Sequence, residues 1–131
     1  MAQVTDVVIT KKIGLDLEVS VGYNKPAAIG VALYGPNRKL VKDLGSALSM
    51  EPPDPDVFKI ATKASLKSLH KHKLYIRVAI GSFSAEGDES VSVHATLRQG
   101  SNPVESGTVM DTQVVKNGGG ASIIVFNIEV T

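Results

Sequence analysis

The feature that most constrains the fold is a two-residue alternation of apolar and other side chains. It is clearest in LYIRVAI, Leu74 to Ile80, where one set comprises Leu74, Ile76, Val78 and Ile80 and the other comprises Tyr75, Arg77 and Ala79. Successive side chains of a β-strand point to opposite faces of the sheet, so this pattern predicts a strand with one face in the core. It is the strongest strand signal in the chain, and we predict that it forms a central strand.

Further segments carry the same signal and are separated by turn residues. Leu15 to Tyr23 and Val91 to Leu97 alternate cleanly and are predicted to be strands with one buried face. Weaker strand patterns occupy residues 3–10, 28–33, 39–44, 108–116 and 122–130, whereas GSALSM at 45–50 has no regular period. The predicted turns are Asn24-Lys25-Pro26, Tyr34-Gly35-Pro36-Asn37, Gln99 to Pro103 and Asn117-Gly118.

The composition agrees with an all-β domain. Of the 131 residues, 43% are hydrophobic, but only three are Phe, three are Tyr and none is Trp. The core is therefore expected to consist mainly of Val, Ile, Leu and Ala, of which the β-branched members favour strands. We predict one domain over residues 1–131, an antiparallel β-sandwich of eight or nine strands with at most one short helix. The proline-rich segment 51–56 is predicted to be a loop within it and not a domain boundary.

The segment 57–69 has two interpretations. Val57 to Ala61 fits a short strand, or the first turn of a helix that Asp56 would cap. The spacing of Lys59, Lys63, Lys67 and Lys71 is helical, but the apolar residues between them scatter around a helical projection instead of forming one stripe. We therefore predict a short strand followed by a loop.

Charge is nearly balanced over the chain but is concentrated before the predicted central strand. With 14 Lys and Arg against 13 Asp and Glu, any attraction to an anionic partner must be local. We call the local concentration the basic stretch; its members are Lys59, Lys63, Lys67, His70, Lys71, His72 and Lys73. It is a candidate site for an anionic glycan or polymer, or else a solvated loop that protects a sheet edge. Nucleic-acid binding is not predicted, because Tyr75 is the one nearby aromatic residue that bases could stack on.

A second candidate surface is formed by small residues. Ala28, Gly30 and Ala32 alternate with the predicted inward residues of their strand, so they share the other face. Side chains this small permit close approach by another layer, and we predict that this face contacts a protein partner or another copy of the chain.

Motifs of catalysis and of metal binding are mostly missing. The absence of Cys excludes disulfides, zinc-thiolate sites and cysteine nucleophiles. Gly81 to Ala85 lacks the final glycine of a nucleophile elbow, and Gly118 to Gly120 leads into a strand and not into a phosphate-binding helix. His70 and His72 have no third ligand at motif spacing, and His94 is expected on an exposed strand face. We predict no catalytic residue, no metal site and no cofactor.

Two acidic loops leave one alternative open. A calcium ion would need carboxylate oxygens from both loops at one end of the sandwich. Ion pairs between these carboxylates and the basic stretch do not require the two loops to be close, and we favour that interpretation. The acidic residues are Asp54, Asp56, Glu86, Asp88 and Glu89.

These observations favour a non-enzymatic structural or interaction module that associates with itself or with a larger protein assembly. The alternative is a lectin-like or anionic-polymer-binding sandwich that uses its inter-strand loops. An enzyme whose site is assembled from distant residues is a third, weaker hypothesis. No leader pattern and no apolar run of roughly 18 residues is present, so a cytoplasmic location is the default expectation. A mature secreted chain would show the same N-terminal pattern.

Overall fold

The computed structural model describes residues 3–21, 27–49, 56–81, 89–115 and 119–131. Within these ranges the chain forms nine strands and one short 3-10 helix. The strands are β1 Gln3–Ile9, β2 Leu15–Val21, β3 Ala27–Tyr34, β4 Leu40–Ser49, β5 Asp56–Ala61, β6 Lys73–Ile80, β7 Glu89–Gln99, β8 Asn102–Val115 and β9 Gly120–Val130, and the 3-10 helix is Lys63–Leu69.

The strands form two sheets that pack face to face. The five-stranded sheet has the order β1-β9-β6-β3-β4, and the four-stranded sheet has the order β5-β2-β7-β8. All pairs are antiparallel except β1 with β9, which run parallel. The prediction of an all-β sandwich is confirmed, and β6, the strand of LYIRVAI, lies at the centre of its sheet as predicted.

The core lies between the sheets and follows the alternation in the sequence. On β6 the residues Leu74, Ile76 and Val78 are fully buried, and on β3 the same holds for Ile29. The inward residues of β2 and β7 face them from the other sheet, with Leu17 and Leu97 also fully buried. Aliphatic side chains therefore make up most of the core, as the composition predicts, and Phe126 is its largest member.

Polar side chains join the two sheets outside this core. Asp111 on β8 accepts hydrogen bonds from Gln3 Nε2 on β1, at 3.4 Å, and from Ser122 Oγ on β9. Gln99 at the end of β7 holds the connection between β1 and β2: its Oε1 accepts from Thr10 N at 3.1 Å, and its Nε2 donates to Thr10 O at 2.8 Å and Ile13 O at 2.9 Å. The sheet junction thus relies on a few directed contacts in addition to apolar packing.

The segment 63–69 differs from the prediction. The strand predicted at 57–61 is present as β5, but a 3-10 helix follows it where a loop was predicted. Leu66 and Leu69 are its buried residues, and they stand three positions apart, which is the period of a 3-10 helix. On a projection at the α-helical period of 3.6 residues the apolar residues do not form one stripe, and for this reason the sequence predicts a loop here.

Two strands are longer than predicted. β4 runs on through the segment 45–49, whose sequence has no regular period, and this segment pairs with Ala27 to Val31 of β3 without a register shift. The register shifts of the β3–β4 pair lie before it, between residues 40 and 45. β8 begins at Asn102 although Pro103 and Gly107 resemble strand breakers. β8 is an edge strand, where a proline without a donor costs no ladder hydrogen bond.

Several predictions concern residues outside the described ranges. They are the turns at Asn24-Lys25-Pro26 and Asn117-Gly118, the prolines of the segment 51–55 and the loop after Gly81. Asp54, Glu86 and Asp88 fall there too, so the calcium alternative stays a prediction.

Candidate functional site

The outward face of the five-stranded sheet carries two neighbouring tyrosines. In the β3–β6 register Ala32 pairs with Tyr75 and Tyr34 pairs with Lys73, so Tyr34 and Tyr75 are diagonal neighbours on one face. Their ring centroids are 4.9 Å apart and the rings are inclined at 68°, an edge-to-face contact. Tyr75 remains 38% exposed, which leaves ring surface for a ligand.

The turn between β3 and β4 brings an arginine to the same place. Arg38 N donates to Gly35 O at 3.0 Å, and Gly35 N donates to Lys39 O at 3.0 Å. Arg38 has φ 65°, the left-handed conformation that closes this kind of three-residue hairpin loop. Glycine and asparagine adopt it most easily, so an arginine here is strained.

These residues line a depression of about 400 Å³, which we call the tyrosine site. Its lining consists of Tyr34, Arg38, Lys73 and Tyr75. It combines aromatic surface with two cations, and no carboxylate belongs to this lining. Asp43 on β4 is an acidic residue of the same sheet and pairs with Ala32 of β3, next to the site. The site is therefore suited to an anionic group attached to a ring with an apolar face.

The turn that leads into β6 is fixed by hydrogen bonds to β9. Lys71 N donates to Ile128 O at 2.8 Å, and Ile128 N donates to His72 O at 2.9 Å. His70 Nδ1 accepts from Val130 N at 3.0 Å. The distance between His72 Nδ1 and His70 O is 3.1 Å, so His72 Nδ1 carries the donated hydrogen. Lys71, with φ 67°, is a second cation in the left-handed conformation.

A second depression, of about 290 Å³, lies beside this turn, and we call it the asparagine site. Its lining residues are Asp6, Lys71, His72, Lys73, Asn127, Ile128 and Glu129. Asn127 Nδ2 donates to Asp6 Oδ1 at 2.8 Å, whereas Asn127 Oδ1 is buried and has no hydrogen-bond partner among the described residues. Lys71 Nζ lies 3.6 Å from Glu129 Oε1, in an exposed ion pair. The site thus offers hydrogen-bonding groups with nearly balanced charge.

The structure divides the basic stretch. It gathers Lys71, His72 and Lys73 at the two sites and gives the ring of His70 a backbone hydrogen bond. Lys63 and Lys67 are exposed on the 3-10 helix and belong to neither site. Lys59 lines another depression of about 430 Å³, together with Lys42 and Asp16. That depression is the largest described, but its lining includes no aromatic residue, so we favour the tyrosine site.

The predicted partner surface lies on the same face as the tyrosine site. Ala28 is exposed, and Gly30 and Ala32 are half-buried. Gly30 pairs with Arg77 and Ala32 pairs with Tyr75, so the small residues lie beside cationic and aromatic side chains.

Sequence reasoning missed Tyr34, Arg38, Asn127 and Asp6. The sequence places Tyr34 in a predicted turn and assigns no role to Arg38. Nothing in the local pattern indicates that β3 pairs with β6. The available signal was weak: Tyr34 continues the outward set of β3, as Tyr75 does on β6. Only the strand order brings the two rings together.

The described residues provide neither a metal-binding cluster nor a membrane-spanning helix. Among the described residues, no group of three or more His, Asp or Glu side chains is placed to hold a metal ion. No described helix has the length and apolar character needed to span a membrane.

Comparison with known proteins gives a likeness in fold. No protein-family model matches the chain, and no curated protein sequence does so either. A DUF4425 family protein from Bacteroides ovatus aligns with a TM-score of 0.50 and 11% identity, over 87% of this chain and 94% of that chain. A DUF4425 domain of unknown function from Bacteroides vulgatus aligns with a TM-score of 0.47 and 7% identity, over the same shares. At such identities the likeness concerns the fold alone.

Proposed function

We propose that this protein is a non-enzymatic binding module that recognises an acidic glycan at the tyrosine site. The observation that carries the proposal is the pair formed by the half-buried Tyr34 and the exposed Tyr75, flanked by Arg38 and Lys73. A sugar ring has an apolar face that packs on an aromatic side chain, and a carboxylate or sulfate group on it pairs with a guanidinium or an ammonium. The site offers both kinds of contact within one depression.

The conformation of Arg38 supports this role. A non-glycine residue in the left-handed region costs roughly 1–2 kcal/mol. Such strain is typical of positions where the side chain has a task besides folding. Ligand binding by the guanidinium is a task that explains an arginine at this position.

Nucleic acid is a poorer match for the same site. Sequence-tolerant stacking of bases needs rings that present parallel faces to successive bases. Tyr34 and Tyr75 instead contact each other edge to face, at 68°. The near-neutral total charge also gives no long-range attraction to a polyphosphate.

The first experiment compares Arg38→Gly with wild type. We expect affinity electrophoresis in gels that contain hyaluronan, polygalacturonate or heparin to show retardation of wild type in at least one of them. Arg38→Gly should weaken that binding by about tenfold or more, because a charge-assisted hydrogen bond contributes roughly 1.5–3 kcal/mol. Its free energy of unfolding should stay the same or rise by up to about 1 kcal/mol, since glycine relieves the strain.

Two controls make this result specific. Ser106→Gly removes another left-handed residue, φ 61°, on β8 of the other sheet, and should leave glycan binding unchanged. Lys73→Ala should weaken binding and its salt dependence, whereas Lys67→Ala removes an exposed lysine outside both sites and should do neither. Wild type that migrates unretarded in all three gels, or Arg38→Gly that binds as wild type does, would contradict the proposal.

Self-association, the function favoured by the sequence, stays a prediction and concerns the same face. Val4 is 60% exposed and Ile123 is 37% exposed, and both lie near Tyr75 around the buried Val125. If two copies pair through this face, light scattering at high micromolar concentration should give the mass of a dimer, and Ala32→Glu should restore the monomer. Thr96→Glu, on the outward face of the other sheet, is the matched control. A monomeric mass at every concentration would contradict self-association.

A further inference from the structure

We infer that the acidic glycan binds as an extended chain that crosses the strands from the tyrosine site to the asparagine site, with its charged units separated by neutral ones. The inference rests on the proposed function and adds the direction, the length and the charge spacing of the ligand.

The direction comes from the strand register. Tyr34 pairs with Lys73, Lys73 pairs with Asn127, and Asn127 pairs with Asp6. These four outward residues therefore form one row across β3, β6, β9 and β1. Adjacent strands are about 4.8 Å apart, so the row is about 14 Å long, longer than a single sugar ring.

The two sites are continuous along this row. Lys73 lines both depressions. His72, which lines the asparagine site, also borders the hairpin of Arg38, since a Cβ at Gly35 would lie 3.9 Å from His72 Nε2. A chain that leaves the tyrosine site over Lys73 thus reaches the asparagine site directly.

The charge spacing comes from the linings. The tyrosine site carries two cations and no carboxylate. The asparagine site shares Lys73 with it and adds Lys71, Asp6 and Glu129, so the formal charge of the three residues that it adds is −1. An acidic unit is favoured at the first site, whereas the second disfavours another anion beside Asp6.

Hydrogen bonding at the asparagine site favours a neutral sugar unit. Asn127 Oδ1 is a buried acceptor that lacks a partner among the described residues, and its Nδ2 is held by Asp6. Sugar hydroxyl groups both donate and accept hydrogen bonds, which suits a lining that mixes ammonium, amide and carboxylate groups, whereas a carboxylate or sulfate group only accepts them. An outer row, in which the exposed Tyr75 and Val4 lie on either side of the buried Val125, gives the chain an apolar flank.

The experiment uses hyaluronan oligosaccharides, in which a uronic acid alternates with a neutral N-acetylated sugar. Isothermal titration calorimetry of wild type should show affinity that rises by roughly tenfold from the free uronic acid to the hyaluronan tetrasaccharide. Asn127→Ala should lose this gain and keep the affinity for the free uronic acid. Asn102→Ala, at an exposed position of β8, is the matched control and should keep the gain.

A second variant tests the charge spacing without removing a hydrogen-bonding side chain. Wild type should prefer hyaluronan to polygalacturonate, whose units are all acidic. Asp6→Asn keeps the shape of the side chain and removes the charge that repels a second anion, so it should reduce this preference severalfold.

The outcomes separate this inference from the proposed function. If the affinity of wild type does not rise with oligosaccharide length, or if Asn127→Ala keeps that rise, the extended binding mode is wrong. The proposed tyrosine site still stands in that case if Arg38→Gly abolishes binding. An unchanged preference in Asp6→Asn overturns the charge spacing. If wild type binds no acidic glycan of any length, both proposals fail.

Discussion

At the residue scale, the environment of Asp111 decides its charge. Asp111 is only 5% exposed, and burial raises the pKa of its carboxyl group. Hydrogen bonds from Ser122, Gln113 and Gln3 favour the ionised form and together outweigh burial, so the pKa of Asp111 lies below its ordinary value of 3.8. An ionised carboxylate therefore joins β8 to β1 and β9 at neutral pH.

This pKa shift predicts how stability depends on pH. Because the pKa is lower in the folded than in the unfolded state, Asp111 stabilises the fold above about pH 4, and this contribution is lost as the pH falls through the folded pKa. Asp111→Asn should lower the free energy of unfolding by about 1–3 kcal/mol at pH 7. It should also flatten the loss of stability between pH 5 and 2, measured by urea unfolding.

Glu105→Gln is the control for Asp111, since Glu105 is an exposed carboxylate on the same strand. This variant should change neither the free energy of unfolding at pH 7 nor its loss between pH 5 and 2. If Asp111→Asn loses stability between pH 5 and 2 as steeply as wild type does, other carboxylates cause that loss.

At the element scale, β6 supports the candidate sites and also forms the middle of the core. It pairs with β3 and with β9 along its whole length, so neither of its edges is open to solvent. Its inward residues fill the space between the sheets, and its outward residues Lys73 and Tyr75 line the sites. The positions of those two side chains therefore depend on the packing of the opposite face.

Truncation of one inward residue tests this dependence. Ile76→Ala should lower the free energy of unfolding by about 2–5 kcal/mol, because a fully buried side chain leaves a cavity that rigid neighbours cannot fill. Arg77→Ala, the outward neighbour, should change it by about 0.5 kcal/mol or less. The measurement is urea unfolding at pH 7, and an Ile76→Ala midpoint equal to that of wild type would place the core elsewhere.

At the scale of the whole molecule, alternation predicted the sandwich because most strands bury one face and expose the other. It succeeded for β2, β6 and β7, where every residue that the core takes up is apolar. It underestimated β4, whose residues 45–49 pair with β3 although their sequence does not alternate, and it missed the 3-10 helix, whose period of three differs from that of either regular structure.

The candidate sites were less predictable than the fold because they depend on strand order. Lys71, His72 and Lys73 stand out in the sequence by their local density, and they line the two depressions; that they bind a ligand stays a prediction. Tyr34 and Asn127 lie far from them in sequence and reach them through the β3–β6 and β6–β9 pairs. No local pattern encodes those pairs, nor the parallel pairing of β1 with β9.

A chain made from its N-terminus emerges with β1 first and β9 last, although these strands are neighbours in the finished sheet. Until β9 has left the ribosome, Val7 and Ile9 lack the strand beside which they are buried. At about 5–20 residues per second, that interval lasts roughly ten seconds. Among the described strands, β1 is thus the one that a chaperone would need to hold the longest.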